Sequence, residues 1–380
     1  MKSNILLVTI LLLSHVSHGQ VRKEINIPDI PGYITLKGDF HMHTVFSDGR
    51  VWPTIRVQEA WRDGLDVIAI TDHDNYEAFK EDVSNDDRNR PYEIARSEAD
   101  ILGITLIKGI EITKEVPPGH FNALFIKDAN LLLDDDIFKT FREARNQGAY
   151  IQWNHPGYRQ SKPIKWFDTI TQLFENGLLD GIEVFSGRNF TPEAFVWAKE
   201  RNLTITANSD MHFLTDMYHS ENYHRPVTLV FAKDKSPEAV RESFMAGRTA
   251  AYFENTVVGK KEFLLPLFEA SIEVLRLPLI IEKAVWFVQI KNNSDLDFEM
   301  ELVRPVKGNN IPGEITLQAN STTLIKMNAK MNPDVKNITS LSDIKVKFKV
   351  NNLIVAPDEM LEVELRIPGI EQEGALSGKN

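Results

Sequence analysis

Between Tyr33 and about Phe253, short β-branched runs alternate with stretches in which apolar residues recur every three or four positions. "ITLKGDF" is followed by the amphipathic "TIRVQEAWRDG", then "VIAIT", a helical stretch reaching Leu102, and "ITLIKGIEIT". The series continues through "YIQWNH", "GIEVF", "LTITANSD" and "VTLVFA", with "PEAFVWAKERN" and "SPEAVRESFMAGR" as helical patterns between them. Such alternation predicts parallel strands joined by crossover helices. About seven repeats in roughly 220 residues fit a closed barrel better than an open sheet. From about Glu262 the period changes to two. "KAVWFVQIKNN", "DFEMELVRP", "GEITLQANSTTLIKMNA", "DIKVKFKVNN" and "EMLEVELRIPG" alternate apolar and polar residues between turns. That pattern predicts an antiparallel, half-buried sheet and a small β-sandwich. The chain thus divides into a leader (1–19), a barrel (20–258), a β domain (259–368) and a flexible tail (369–380).

The leader, "MKSNILLVTILLLSHVSHGQ", has one basic residue, an apolar core from Ile5 to Leu13, and the small residues Ser17 and Gly19 before a cut that would leave Gln20 first. The core is too short to span a bilayer and reads as a secretory signal peptide, which predicts a periplasmic or secreted protein. No later segment is apolar enough for stable membrane insertion. With no cysteine in the chain, disulfides, thiolate ligands and a thiol nucleophile are excluded, so imidazole and carboxylate must hold any transition metal. The formal net charge of −11 argues against a general nucleic-acid surface. It leaves room for a small phosphorylated substrate held through metals.

Of the 10 histidines, His15 and His18 lie in the leader and the rest fall between His41 and His224. Most sit where a predicted strand ends. His41 and His43 close the first strand on one face, as a period of two requires. His73 follows "VIAIT", Glu111 ends "ITLIKGIEIT", His120 starts "HFNALFI", His155 follows "YIQWN", and Asp210 and His212 follow "LTITANS". In a barrel the carboxyl ends of the strands meet at one face, so these residues converge although they are far apart in sequence. Asp48, in the loop after the first pair, can join them. Imidazoles and carboxylates are expensive to cluster without a cation between them, which makes the cluster a predicted metal site.

Assembled in this order, "HMHTVFSDG", "TDHD", "GIEI", "WNHPG" and "NSDMH" resemble the motifs of the PHP family, named for polymerase and histidinol phosphatase. The resemblance covers roughly residues 34 to 253. It implies a distorted seven-stranded (β/α) barrel of α/β class that binds two or three divalent metals (zinc, manganese or iron) and hydrolyses phosphate esters. It also implies three ligand sets: His41, His43, Glu111 and Asp210; Glu111 again with His120 and His155; and Asp48, His73 and His212. Asp48 stands where some relatives have histidine. Two or three cations a few ångströms apart lower the pKa of a bridging water from 15.7 to about 7 and neutralise phosphoester oxygens.

Further groups are candidates for substrate. "EVFSGRNF" puts Arg188 and Asn189 over the same face, Arg188 as a phosphate-oxygen donor. His219, His224 and Arg225 precede the next strand, with His224 a candidate general acid for the leaving group and a substrate contact. Trp153 and Tyr158 flank "NHPG" and are candidate pocket walls. The acidic run "LLLDDDIF" lacks the spacing of a calcium loop and reads as a helix cap. The leading expectation is an exported metal-dependent phosphoesterase acting on a phosphodiester or small organic phosphate, with Asp210, Arg188 and His224 as catalytic groups. The alternatives are an amidohydrolase-like enzyme acting on C–N or ester bonds at the same metals, and a non-catalytic protein binding glycan or a surface partner.

Overall fold

Each short apolar run becomes a strand with little room for polar exposure: Val67–Ile70 and Val227–Ala232 are buried at every position. Proline at the first turn marks the start of helices Pro53–Arg62, Arg90–Leu102, Pro192–Arg201 and Pro237–Met245, where its missing N–H costs no intrahelical bond. The computed structural model describes residues 19–83, 86–218, 224–275, 280–281, 285–307, 309–329, 340–341, 343–367 and 370–371. The leader up to residue 18, His219 and most of the tail lie outside these. Within the tail, Ile370–Glu371 pair with Ser340–Leu341.

The strands in chain order are β1 (Ile34–Asp39), β2 (Val67–Ile70), β3 (Thr105–Thr113), β4 (His120–Leu124), β5 (Tyr150–Trp153), β6 (Gly181–Ser186), β7 (Asn189–Phe190), β8 (Thr204–Asn208), β9 (Val227–Ala232), β10 (Thr249–Phe253) and β11 (Thr256–Gly259). β1, β2 and β3 run parallel, as do β5, β6 and β8. The expectation of parallel strands throughout is corrected elsewhere. β4 is antiparallel to both β3 and β5, and β9 is antiparallel to β1 and β10. Only a turn separates β3 from β4, too little chain for a crossover helix. Because β4 runs backwards, its first residue, His120, lies beside Thr113 at the carboxyl end of β3. Beyond β8 and β1 the chain closes on itself through a bridge between Met42 and Met211.

The C-terminal region is antiparallel, as its period of two predicts; Glu359–Ile367 buries every second residue. One sheet contains Val285–Asn292 and Thr322–Ala329, the other Phe298–Leu302, Glu314–Leu317, Ile344–Ala356 and Glu359–Ile367. Their apolar faces share one core, with Ile290 and Ile325 from the first and Phe298, Val346 and Phe348 from the second. The second sheet is continuous with the barrel's: Ile344–Ala356 runs parallel to β11, pairing Val257 with Leu353 and Val258 with Ile354. Asn352 reinforces this seam by donating through Nδ2 to the carbonyls of Asn255 (2.6 Å) and Asp297 (2.7 Å). Among the described residues no helix is long and apolar enough to cross a membrane.

Candidate metal centre

Two three-residue segments carry much of the site. His41-Met42-His43 follows β1 and Asp210-Met211-His212 follows β8, and they lie side by side at the Met42–Met211 bridge. Both methionines are buried in the core, so alternation turns the flanking residues to the other side, toward each other. The buried Arg56 locks the pair from below. Its guanidinium donates to the carbonyls of His43 (2.9 Å), Met211 (3.0 Å) and Phe213 (2.8 Å). Asp72 shapes the loop that presents Asp48, accepting from Thr44 N–H, Thr44 Oγ1 and Ser47 Oγ, each at 2.6 Å. Gly49 completes that loop, since a Cβ there would come within 2.5 Å of the His43 backbone.

The structure brings together all nine predicted ligands, in groups whose ligand atoms lie within 4.8 Å of one another. Asp48, His73 and His212 form one group with His43; the others are His41–His43–Glu111, His41–His155–Asp210 and His73–Glu111–His120. Glu111 is the hub. Its Oε1 lies 3.2 Å from His41 Nε2 and 3.4 Å from both His120 Nδ1 and His155 Nε2. His120 and His155 thus both approach Glu111 Oε1, while His155 also groups with His41 and Asp210 and His120 with His73. Asp210 Oδ1 is 3.1 Å from His43 Nε2 and 3.3 Å from His41 Nε2. His212 Nε2 is 3.2 Å from Asp48 Oδ1.

His43 Nε2 and Asp210 Oδ1 are hydrogen-bonded at 3.1 Å, but other atoms of the cluster are left unsatisfied. His41 Nε2, Glu111 Oε2 and Asp48 Oδ1 are buried and have no aligned hydrogen-bond partner. Leaving such atoms unpaired costs roughly 1–3 kcal/mol each. Ligand atoms that crowd one another without aligning converge on common points, and a donor set of imidazoles and carboxylates fits divalent transition ions at those points. The electrostatics agree. Burial opposes ionisation of Glu111, yet the His73 and His41 charges hold its carboxyl well below the usual range. Burial likewise opposes a charged His73, but Glu111 and Asp48 push its pKa up to about 11. His43 goes the other way, to about 3, through burial and the charges of His73 and His212.

A cleft of about 590 Å³ opens beside His155 and Asp210 and is lined by Tyr158, Arg188, Asn189 and Phe190. Arg188 and Asn189 thus line the same cleft as His155 and Asp210, and Arg188 Nη2 donates to the Tyr218 carbonyl. His224, expected as general acid and substrate contact, is not among the residues that line this cleft. Its Nδ1 faces the Arg225 carbonyl at 2.6 Å, its Nε2 the Glu254 carbonyl at 3.1 Å, and its ring lies 4.4 Å from Tyr252. Arg225 is buried between Asp39 and Asp63. Tyr158 is a wall, 5.3 Å from His120 and 5.2 Å from His155, whereas Trp153 is buried and stacked on Trp197. The acidic run caps a helix, with Asp136 accepting from the N–H groups of Phe138 and Lys139. One buried group escaped the sequence reading. Glu183, in β6, accepts from His41 Nδ1 (2.8 Å) and from the His155 N–H (2.8 Å).

The PHP domain family matches residues 39–257, and an Ig-like domain family matches residues 276–366. A solved two-domain protein from Bacteroides vulgatus, containing a predicted PHP-like metal-dependent phosphoesterase, is 39% identical with a TM-score of 0.85. The match covers 92% of this chain and 100% of that one. An uncharacterised protein of Methanocaldococcus jannaschii is 28% identical over 243 residues, 60% of this chain and 99% of its own length. A 5'-3' exoribonuclease of Haemophilus influenzae is 38% identical over 80 residues, 21% of this chain and 24% of its own.

Proposed function

We propose, from the premise that the chain belongs to the PHP domain family of metal-dependent phosphoesterases, that it hydrolyses a phosphodiester or a small organic phosphate ester. The observation that carries the reading is the convergence of nine histidine and carboxylate side chains, with orphaned buried atoms among them, beside a cleft lined by His155, Asp210 and Arg188. When bound, divalent ions supply positive charge against phosphate oxygens and acidify water near neutral pH. The groups that would hold them are His41, His43, Glu111 and Asp210; His120 and His155; and Asp48, His73 and His212.

The chain's own groups do the rest. Asp210 borders the cleft, and its side chain is 28% exposed against 1% for Glu111. Burial raises its pKa, but His41, His43 and His155 together hold it well below the usual carboxylate range. It therefore stays ionised and serves as a fixed acceptor that orients the attacking water, since a group of such low basicity is a poor proton acceptor. Arg188, whose Nη2 also donates to the Tyr218 carbonyl, brings a guanidinium charge to the cleft for a phosphate oxygen, and Asn189 can add a donor. Tyr158 and Phe190 form apolar walls against which an organic leaving group can rest.

The test is elemental analysis of the purified chain together with a screen of phosphomonoesters and phosphodiesters. Two to three transition-metal ions per chain and turnover of a phosphate ester are expected. Metal-loaded protein that cleaves amides or carboxylic esters but no phosphate ester would sink the proposal. We further propose export, resting on the N-terminal sequence alone. The periplasmic or secreted fraction should yield a mature chain starting at Gln20, and a cytoplasmic chain starting at Met1 would refute it.

A further inference from the structure

Glu183 is a buried charge with no role in the chemistry above. Its side chain is fully buried, and among the described residues its ion-pair partner is the His41 ring. A carboxylate in such a place is tolerated only when its lone pairs are filled, and these are. Oε1 accepts from His41 Nδ1 at 2.8 Å, Asn208 Nδ2 at 2.9 Å and Gln152 Nε2 at 3.3 Å, while Oε2 accepts from the His155 N–H at 2.8 Å. Two of these donors belong to one ligand group, His41–His155–Asp210. A proton held on His41 Nδ1 leaves the Nε2 lone pair for a cation, and Nε2 is one of the orphaned atoms facing Glu111 and Asp210. His155 has a positive φ of 27°, a strained conformation for a residue with a side chain, and its N–H is pinned by the same carboxylate.

We propose that Glu183 is a positioning residue that fixes the tautomer of His41 and the backbone of His155, and so holds both in place as metal ligands. The carboxylate also supplies the negative charge behind His41 that a cation in front of it would balance, as outer carboxylates do for metal-bound histidines. Glu183→Gln tests this because an amide cannot face both donors. If its oxygen takes the place of Oε1, its NH2 confronts the His155 N–H and releases that loop. If its oxygen faces His155, its NH2 forces His41 to carry its proton on Nε2, which then cannot ligate.

The proposal rests on reading the cluster as metal ligands, not on the ester being cleaved, and the measurement is metal binding by the full chain. Glu183→Gln should hold less metal than the wild type, with metal affinity lowered about 10- to 100-fold. Gln152→Ala, which removes a different bond to the same carboxylate, should retain wild-type occupancy, as should the exposed Glu200→Gln. Equal occupancy in Glu183→Gln and the wild type overturns the proposal, and so does equal loss in Gln152→Ala. If Glu183→Gln does not fold, nitrogen-15 histidine spectra of the zinc-loaded wild type decide: His41 must carry its proton on Nδ1, and a proton on Nε2 overturns the assignment. A wild-type chain with no metal affinity would instead overturn the metal reading itself.

Discussion

Asp210 touches four histidines of the cluster, lying 3.3 Å from His41, 3.1 Å from His43, 3.7 Å from His212 and, through Oδ2, 3.9 Å from His155. Replacing it with asparagine keeps the shape and removes one negative charge from a site built to hold cations. Turnover of a phosphate ester by Asp210→Asn should fall at least about a hundredfold, the scale of losing a positioned electrostatic group. Thermal stability should change far less, provided metal measured on the same sample is retained. Near-normal turnover at full metal occupancy would remove Asp210 from the site. His224→Ala supplies the contrast. Its ring nitrogens face two backbone carbonyls, so turnover should stay within about threefold of wild type, far from the loss expected of a general acid.

At the scale of elements, the seam between β11 and the strand Ile344–Ala356 fixes what can be cut away. A chain ending at residue 258 loses the pairing partner of Val257 and Val258, and the helix Lys261–Ser271 with its buried Leu264, Leu267 and Phe268. Val257 would then sit on an unpaired apolar edge, a template for aggregation. Gel filtration and thermal unfolding should show aggregate or a non-cooperative melt, and a monodisperse chain with a sharp transition would refute this. The seam was illegible in the sequence, because a period of two says which face of a strand is buried but not which distant strand lies beside it. The clustering of the nine residues was legible for the opposite reason. His41, His43, Asp210 and His212 share an alternation visible in the letters, and strand ends of a barrel converge by geometry. Glu183 was missed because one glutamate in the apolar "GIEVF" has no period to betray which group it faces. Where the His224 ring points was illegible for a similar reason: antiparallel β9 starts at the carboxyl end of β1, but the letters do not say that the ring turns toward Tyr252 of β10.

For the whole molecule, protons and cations compete for the same cluster. Burial disfavours charge on His41, His73, His155 and His212, but neighbouring carboxylates raise all four pKa values. Below those values the metal-free site holds protons that a bound ion must displace, so affinity rises with pH and falls as the solution is acidified. Metal bound to the folded chain stabilises it in proportion to the logarithm of that affinity. The loss of melting temperature on chelation should therefore be larger at pH 8 than at pH 5.5. A loss that is equal at both, or larger in acid, would mean that the raised histidines are not the groups displaced. The continuous sheet also sets a timetable for the chain's own birth. β11 leaves the ribosome about a hundred residues before its partner in Ile344–Ala356, and contacts so distant in sequence are slow to form. The barrel must wait with one edge bare until synthesis is nearly over, so nascent chains stalled just after residue 300 should remain protease-sensitive and chaperone-bound, whereas released full-length chains should not.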